Sequence, residues 1–594
     1  MVRILYMFHL GSQQMLESHR ILEFMENLNI TSLVRVEHFQ SHVQRTAIGW
    51  LLFLSKLKKL QQLDLGSNFF SGTLPVEMGL LSSLRTLDLS NNKLQGSIPH
   101  SLGNLSSLVE LSLGDNHLTG SIPQEISKLE NLERLDISNN SLSGDFFFSS
   151  HLDRVDLSHN SGLVILQGSD FNPSFQLSEL QLSYCDMSKF DICTSFLSTQ
   201  HSFEVIYFSY AKLSGTIPPW LPQLYGFGFS YNNFSGEKPK NFSIHFRDLD
   251  ISHNFLTGDI ASILSSFNVP RFNSLDMSFN KFYGRLPSNM TGNFLSLDLS
   301  NNNISGNLPL NLTRAWTWQS ENFYLSSIQS IHLEHNAFHG TIPENLLLYS
   351  PFLMVMDIGT NCMSGLIPSE IAEISHLQVL ILKEKRFERN IPDEICRLQQ
   401  LAILDLSENN FEGSIPSFFH KNSAWVNGCR STIRASWDSH VGLESEYVEV
   451  VNFKKGNEYG YSGIVLSVIT GIELSLNHLS GPIPMEIGLL KGLIVLNISK
   501  NLLNGTIPDS FSEFQFSVVY NDLESAVPIV NNFQTFEEKC SGNPKLCGYP
   551  RKKCTQLEEE DKENEEKISI WVGYKPVLYA CIATGFIVGF WGVL

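Results

Sequence analysis

The chain has 594 residues, too many for one ordinary globular core, so the sequence predicts several domains or a repeat array. Apolar residues make up 42%, which excludes wholesale disorder, and charged residues make up only 17%, so uncharged polar side chains cover much of the surface. The formal net charge of −19 argues against nucleic acid as a main partner, because nothing is left to neutralise a run of phosphates.

The first segment, residues 1–56, carries no recognisable repeat. A short apolar stretch, Ile4–Phe8, is interrupted by His9, and no small-residue cleavage site follows it. This is a weak match to a secretory signal, and we treat the segment as atypical.

A motif of the form L-x-x-L-x-L-x-x-N-x-L-x-G-x-I-P begins after residue 57 and recurs about every 24 residues. Residues 84–99 and 108–123 show it cleanly, and about 18 copies lie between residues 57 and 528. Its Asn position is filled by Asn68, Asn92, Asn116, Asn140, Asn160, Asn232, Asn254, Asn280, Asn302, Asn336, Asn361, Asn409, Asn477, Asn501 and Asn521, and in weaker copies by Cys185, Ala211 and Lys385.

Each position of the motif has a physical reason. The alternating L-x-L core predicts a short strand with one buried face, and the following Asn can bond backbone groups of neighbouring coils in a ladder. One coil cannot bury its own Leu stripe, but stacked coils can, so the motif predicts a solenoid with parallel strands on a concave face. Aspartates that recur between the strand leucines should form a polar stripe on that face rather than an acid/base pair: Asp88, Asp136, Asp156, Asp250, Asp276, Asp298, Asp357 and Asp405.

The L-x-G-x-I-P extension resembles the plant extracellular class of leucine-rich repeats. The resemblance implies an α/β solenoid, a right-handed superhelix, over residues 57–417 and again over residues 469–528. In this reading the Leu, Asn and Gly residues of the motif are scaffold and not site residues.

Residues 418–468 interrupt the array and carry no repeat pattern. A non-repeat island before the last repeats is typical of plant leucine-rich-repeat receptor-like proteins, and N-F-K-K-G-N-E-Y-G-Y-S-G-I-V-L (452–466) is similar to the end of their islands. The resemblance implies that the island folds back on the concave face and helps to bind a ligand or co-receptor. The alternative is a tolerated loop insertion.

The C-terminal region continues the same resemblance. Residues 529–556 contain G-N-P-K-L-C-G and resemble the family's Cys-containing cap, which implies a Cys547–Cys554 disulfide and leaves Cys540 over. An acidic segment, 557–576, precedes the uncharged stretch 577–594, which as a helix would span about 27 Å, marginal but workable for a membrane. Within it, Gly585 and Gly589 form G-x-x-x-G, which allows close helix pairing.

Both ends depart from the family pattern. The N-terminal cap with paired Cys and Trp residues is missing, since the first cysteine is Cys185, and no basic tail follows the apolar stretch. We therefore expect a chain that is truncated at both ends.

Other cysteines and the sequons are consistent with an extracellular chain. Cys185 and Cys193 are close enough to bridge, whereas Cys396 lacks its usual partner, and Cys429 or Cys362 could substitute. Sequons, and so expected glycosylation sites, occur at Asn29, Asn104, Asn139, Asn233, Asn241, Asn289, Asn303, Asn311, Asn497 and Asn504.

Ligand contacts are expected at outward strand positions near the island. The candidates on the repeats are Gln329, His332, Glu334, Met354, Asp357, Ile381 and Lys383, and those on the island are Tyr447, Lys455, Gly456 and Tyr459. Three histidines of one repeat, His332, His335 and His339, lack a completing Cys or carboxylate set, so we predict surface histidines, no metal and no other cofactor.

No phosphate-binding loop, kinase signature or nucleophile–base set occurs, so we do not predict an enzyme. The resemblance implies a kinase-less receptor, single-pass in the plasma membrane with extracellular repeats. It would bind a peptide or protein and signal through adaptor and co-receptor kinases, in defence or development. The alternatives are a secreted-type inhibitor of cell-wall-degrading enzymes, which the island and apolar tail disfavour, and a non-functional or decoy receptor fragment.

Overall fold

A computed structural model describes most of the repeat array. The described residues are 2–3, 33–35, 55–148, 151–166, 175–193, 195–221, 226–237, 248–265, 272–288, 294–310, 312, 328–384, 386–428, 449–450, 461–462, 470–513, 515–527 and 541–547.

One long parallel sheet of 20 strands, the main sheet, runs through these residues. Neighbouring strands pair in register, so Leu63 faces Leu87 and Leu87 faces Leu111. The strands are β1 (Val2–Arg3), β2 (Leu33–Arg35), β3 (Gln62–Asp64), β4 (Thr86–Asp88), β5 (Glu110–Ser112), β6 (Arg134–Asp136), β7 (Arg154–Asp156), β8 (Glu179–Gln181), β9 (Val205–Tyr207), β10 (Gly226–Gly228), β11 (Asp248–Asp250), β12 (Phe272–Asp276), β13 (Phe294–Asp298), β14 (Ser330–His332), β15 (Val355–Asp357), β16 (Val379–Ile381), β17 (Ile403–Asp405), β18 (Gly471–Glu473), β19 (Val495–Asn497) and β20 (Gln515–Ser517).

A second row of short parallel strands follows the Asn of each repeat. In chain order these strands are Ser71–Gly72, Lys93–Gly96, His117–Gly120, Ser141–Phe146, Gly162–Ile165, Ser214–Gly215, Asn233–Gly236, Phe255–Asp259, Lys281–Arg285, Asn303–Gly306, Ala337–Gly340, Cys362–Gly365, Arg386–Asn390, Asn410–Glu412, Ser480–Pro482, Leu502–Gly505, Asp522–Ala526 and Lys545–Cys547. One more pair, Glu449–Val450 and Tyr461–Ser462, is antiparallel and lies within the island.

Short helices close many coils, usually directly after the Pro of the I-P step. Pro99 has φ −74° and precedes the helix His100–Asn104, so the fixed proline backbone leads into the turn. The 3₁₀ helices are Val76–Leu80, His100–Asn104, Gln124–Lys128, Phe196–Thr199, Ser369–Glu373, Asp393–Arg397, Ser417–Lys421, Met485–Leu489 and Asp509–Glu513, and the α-helices are Ile260–Leu264, Glu344–Leu348 and Ser423–Asn427.

The core is a continuous stripe of repeat leucines, isoleucines and phenylalanines between the two rows of strands. Leu63, Leu87 and Leu111 at the strand centres are almost fully buried. Because each side chain packs on the coils before and after it, stacking supplies the burial that a single coil cannot, and the predicted parallel-strand leucine-rich-repeat solenoid is confirmed.

The predicted asparagine ladder is also confirmed. The Asn92 amide donates to the carbonyls of Leu65 and Leu89 at 2.9 and 3.1 Å, and its oxygen accepts from the Phe70 backbone N–H at 2.8 Å. Equivalent bonds recur at Asn116 and Asn254. Each ladder residue therefore satisfies backbone groups of two consecutive coils that no regular strand could reach.

We call the Asn position of the motif the ladder position. The residue before it has a positive φ in every described repeat, from 44° at Thr360 to 61° at Tyr184. This left-handed turn is what redirects the chain from the main sheet to the second row. From His159 to Phe279 the side chains at this position stack directly on one another from coil to coil.

The island leaves the array between β17 and β18, which pair directly, with Leu404 facing Ile472. Asn477 donates to the Leu406 carbonyl at 2.9 Å, so the ladder also continues across the insertion. The predicted island boundary at residue 418 falls too early: Trp425 is fully buried and its indole N–H donates to the Ala402 carbonyl at 3.0 Å. The array therefore extends to the helix Ser423–Asn427.

The predicted Cys185–Cys193 disulfide is wrong, since both are free thiols. Cys185 takes the ladder position, and its buried thiol donates to the Leu157 carbonyl at 3.2 Å, so it faces the core. Burial raises the pKa of this thiol to about 12. Cys547 forms a disulfide, but Cys554, its predicted partner, lies outside the described residues.

Among the described residues, no helix has the length and apolarity needed to cross a membrane. The predicted membrane segment 577–594, with Gly585 and Gly589, lies outside them.

Candidate functional site

The predicted ligand-contact residues of the repeats come together on three adjacent strands. Gln329, Met354 and Gln378 form one row, because the Met354 N–H donates to the Gln329 carbonyl and the Gln378 N–H to the Met354 carbonyl, both at 2.8 Å. His332, Asp357 and Ile381 form the next row, at paired positions of β14, β15 and β16.

His332 differs from the prediction of a surface histidine. It lies inside β14 with an exposed fraction of 4%, and its Nε2 is 2.6 Å from the Ser330 hydroxyl. His335 and His339 are exposed and lie beyond the strand. No group of three metal-ligating side chains occurs in the part of the chain that the structure describes.

A third row, nearer the turns, contains Glu334, Gly359 and Lys383. Burial, then the carboxylates of Asp357 and Asp298, hold the pKa of Glu334 well above its usual value. The Oε2 atom of Glu334 and the hydroxyl of Thr360 are buried without a hydrogen-bond partner among the described residues. Since Gly359 has no side chain, Lys383 can lean across it, and a Cβ there would lie 3.3 Å from Lys383 Cγ.

Beyond Lys383, the same face opens into a cavity of about 160 Å³. Side chains of β17, β18 and β19 and of the turns after them form its walls. The lining residues are Lys383, Glu384, Asp405, Ser407, Glu408, Glu473, Ser475, Leu476, Asn497, Ser499 and Lys500.

Two buried carboxyl groups face each other at the base of this cavity. Asp405 and Glu473 occupy paired positions of β17 and β18, with exposed fractions of 2% and 3%. Burial raises the pKa of Asp405 to about 6, and burial together with the charge of Asp405 raises the pKa of Glu473 to about 8. Near neutral pH, the pair therefore holds a proton.

The bonds of the two carboxyl groups differ. Asp405 Oδ1 accepts from the Ser407 N–H at 3.0 Å and hydroxyl at 2.6 Å. Glu473 accepts from the Ser475 N–H at 3.1 Å and from the Asn497 amide at 2.9 Å. Asn497 is one of the predicted glycosylation sites, but its half-buried amide is already bonded inside the cavity.

Lys383, one of the predicted ligand contacts, also lines this cavity. The residue has an exposed fraction of 9%, and its ammonium forms no ion pair or hydrogen bond with any described residue. Its positive charge favours the ionised form of Asp405. Because Lys383 borders the cavity, water or an anion there can satisfy its ammonium.

Other predictions for this face have different outcomes. The aspartate stripe is confirmed on the main sheet: Asp88 and Asp250 each accept from a serine two residues later, which explains their recurrence structurally.

The island candidates Tyr447, Lys455, Gly456 and Tyr459 lie outside the described residues. So do Asn29, Asn241, Asn289 and Asn311, whereas Asn104, Asn139, Asn233, Asn303 and Asn504 are exposed.

The sequence did not lead us to predict that Asp405 and Glu473 face each other in the cavity. Glu473 has the same offset from Asn477 that Asp405 has from Asn409, and this equal offset could have predicted the pairing. It was overlooked because the island separates the two residues in the sequence.

Comparison with known proteins agrees with this architecture. Models of the leucine-rich repeat match residues 82–142, 293–315, 400–422 and 492–514. In the solved structures, the plant peptide hormone receptor RGFR1 in complex with RGF2 is similar over 83% of this chain and 72% of its own, with 24% identity and a TM-score of 0.64. The complex PEPR1–AtPEP1 is similar over 87% and 65%, with 25% identity and a TM-score of 0.58. The chain is thus a leucine-rich-repeat protein.

Several plant receptor-like proteins are similar to this chain in sequence. Receptor-like protein 32 of Arabidopsis thaliana is 28% identical over 364 residues, 58% of this chain and 40% of the relative. Receptor-like protein 34 of the same plant is 30% identical over 341 residues, 55% and 33% of the two chains. The chain is similar in sequence to these plant receptor-like proteins, and its matches span about two-fifths or less of the relatives' length.

Proposed function

We propose that this chain is a non-enzymatic receptor-like protein that binds a peptide or protein ligand on the open face of β14–β19. The observation that carries the proposal is the cavity of about 160 Å³ on that face, together with the Glu334 Oε2 atom, the Thr360 hydroxyl and the Lys383 ammonium, which form no hydrogen bond with a described residue. A native fold normally satisfies such groups, so water or a ligand is expected to complete their bonding.

The geometry suits an extended ligand. Three rows of side chains cross six adjacent strands, so a chain lying across the strands would meet a new set of contacts in each repeat. Many weak contacts then add along one line, with the buried polar groups as anchors.

Proteins of the same fold have been solved in complex with peptide ligands. RGFR1 was solved with RGF2, and the receptor kinase HAESA with the peptide hormone IDA and the co-receptor SERK1. By analogy, ligand binding here would recruit adaptor and co-receptor kinases, in defence or development. The residues of the island, 452–466 above all, would complete the site, since the island is inserted in the chain between β17 and β18, and both strands line the cavity.

The proposed setting is the plasma membrane. Residues 577–594 would form the single membrane-spanning helix, with Gly585 and Gly589 at a helix-pairing face, and the exposed sequons would carry glycans outside the cell. The Cys547–Cys554 bridge would close the last coil.

Selection from a random peptide display library against the purified full chain tests the function. Selected peptides should lose at least about tenfold in affinity when Gln329 and Met354 are replaced by Ala together, because both lie on the proposed contact surface. The control is the double replacement of Glu110 and Arg134 by Ala on β5 and β6, which should change affinity by less than about twofold. Failure to select any saturable binder, or equal losses in the two double variants, would overturn the proposal.

A further inference from the structure

Both ends of the island are bonded to one residue of the repeat array, Gly492. The chain leaves the array after the helix Ser423–Asn427 and returns to it at Thr470. On the first side, the Gly492 N–H donates to the Trp425 carbonyl at 2.9 Å. On the other side, the Thr470 hydroxyl donates to the Gly492 carbonyl and accepts the Ile494 N–H at 3.1 Å. The exit and the return of the chain therefore meet at one point of the array.

Trp425 supplies a donor that backbone groups supply in uninterrupted coils. The Gln378 carbonyl, for example, accepts the N–H groups of Ala402 and Ile403 in the next coil, at 2.8 and 3.0 Å. The Ala402 carbonyl accepts the Gly471 N–H at 2.9 Å, and its second bond, at 3.0 Å, comes from the indole N–H of Trp425. The fully buried Trp425 side chain thus completes the contact between coils at the point where the chain departs.

The helix before the island is also fixed on the preceding coil. The Asn422 side-chain amide donates to the Leu398 and Leu401 carbonyls at 2.6 and 3.2 Å. Its oxygen accepts the Trp425 N–H at 3.0 Å and so caps the helix Ser423–Asn427. The helix is therefore bonded to the coil before the island and, through Gly492, to the coil after it.

Gly492 has to be a glycine because two backbone segments pass close to it. A Cβ atom at this position would lie 2.6 Å from Gly428 Cα and 2.9 Å from the Ala424 carbonyl oxygen. Both are backbone atoms, which cannot turn aside as the end of a flexible side chain could. The reason is space and not backbone conformation, since the φ of Gly492 lies outside the left-handed region.

We propose that Trp425, Thr470 and Gly492 form a clasp that positions β18 on β17 independently of the island. Together with the strand pairing and the ladder bond across the insertion, the clasp keeps the array continuous when the chain is cut between residues 429 and 469. Because β17 and β18 both line the cavity, the clasp also holds the two parts of the ligand face together. This last consequence rests on the proposed function.

A cut in the island tests the clasp. A recognition sequence for a site-specific protease is inserted between Ser436 and Trp437 of the full chain. Cys429→Ser is added, so that the N-terminal fragment keeps only cysteines that are free thiols in the structure. After cleavage the two fragments should stay together, with a dissociation constant below about 1 μM in size-exclusion chromatography of a dilution series, because the stacked coils keep their whole contact. Separation of the fragments at this concentration would overturn the proposal.

Variants of the clasp should weaken this association, and a distant variant should not. Trp425→Phe removes only the indole N–H from the Ala402 carbonyl and should raise the dissociation constant of the fragments about tenfold. Gly492→Ala should raise it at least about tenfold, because the added Cβ meets backbone. The matched control is Gly79→Ala, whose Cβ would lie 2.9 Å from the Ser101 carbonyl carbon in an early repeat.

The control separates the clasp from a general loss of stability. Gly79→Ala introduces the same kind of backbone contact far from the island, so it should change the dissociation constant of the fragments less than about twofold. Trp425→Phe keeps the test decisive if Gly492→Ala fails to fold. If neither clasp variant had a larger effect than Gly79→Ala, the clasp would not be what joins the array across the island.

Peptide binding separates this proposal from the proposed function. A peptide from the library selection should bind the cut chain within about twofold of its affinity for the uncut chain. A loss of tenfold or more while the fragments stay together would reject the role of the clasp at the ligand face. Failure to select any peptide would reject the proposed function and would leave the measurement on the fragments unaffected.

Discussion

Two stretches of the array use one repeat position, the left-handed residue before the ladder position, in opposite ways. Between β7 and β13 the position is aromatic, and consecutive rings stack with centroids 3.7 to 4.4 Å apart: His159, Tyr184, Tyr210, Tyr231, His253 and Phe279. Between β15 and the end of β19 the position is not aromatic: Thr360, Glu384, Glu408, Leu476 and Lys500. The backbone is the same, so the side chains alone make the difference.

The aromatic column is held together by ring stacking. Each inner ring has both faces covered by its neighbours. Burial lowers the pKa of His253 to about 4, so this ring stays uncharged at mildly acidic pH, and its buried Nδ1 atom has no hydrogen-bond partner among the described residues. In the second stretch the Thr360 hydroxyl is likewise buried without a partner, but here the face opens into the cavity on β16–β19. We propose that the stacked stretch stiffens the solenoid and that the stretch with the cavity receives the ligand.

The largest expected effect belongs to the ladder that both stretches share. Asn254 donates to three carbonyls and accepts one N–H, and Asn477 repeats this pattern. Asn254→Ala and Asn477→Ala should each lower the free energy of unfolding by about 3 kcal/mol, because buried backbone groups lose their partners. Denaturant unfolding checks this. If one of the two variants lost less than about 1 kcal/mol of unfolding free energy while the other lost about 3 kcal/mol, the ladder would not stabilise the two stretches equally.

A smaller effect should separate the two stretches. Tyr231→Ala removes stacking on Tyr210 and His253 and should cost about 2 kcal/mol, since each aromatic pair contributes about 1 kcal/mol beyond burial. Thr360→Ala, at the same position of a later repeat, removes an unpartnered hydroxyl and should cost less than about 0.5 kcal/mol. If thermal unfolding showed the same loss of stability for Tyr231→Ala and Thr360→Ala, ring stacking would not distinguish the two stretches.

The smallest of these effects is a pH dependence in the second stretch. The pKa of Glu473 is about 8 in the folded chain against 4.5 for the unperturbed group, so the folded state binds the proton more tightly. Stability is therefore greatest at low pH and is lost as the pH rises through this window. Between pH 7 and 8.5 the unmodified chain should lose on the order of 1 kcal/mol more than the Glu473→Gln variant.

Thermal unfolding of both proteins at the two pH values measures this difference. Because the stacked column carries no carboxyl group, Tyr231→Ala should keep the pH dependence of the unmodified chain. If the unmodified chain and Glu473→Gln lost the same stability between the two pH values, the buried pair would be ionised at both of them.

The scaffold could be predicted because each of its roles requires one residue type. An Asn every two dozen residues, flanked by leucines, implies a ladder and a strand, and both are present around Asn92 and Asn116. The Cys185–Cys193 bridge was predicted wrongly because proximity in sequence does not reveal that Cys185 occupies a ladder position facing the core.

The site was predictable only in part. The strand residues His332, Asp357 and Lys383 do share one face, since register follows from the repeat. Burial depends on neighbours in other coils, so neither the buried state of His332 nor the unpaired state of Lys383 could be read from composition. The aromatic column was missed although Tyr184, Tyr210 and Tyr231 share one offset, because ring stacking depends on the distance between neighbouring coils, which the repeat spacing does not give.

Hydrogen–deuterium exchange of the full chain, with and without a saturating peptide from the library selection, tests the ligand face most directly. The account predicts slower exchange at the turns and edges of β14–β19, around Lys383 and Glu473, and unchanged exchange along the aromatic column from His159 to Phe279. Protection confined to the aromatic column, with none on β14–β19, would contradict it.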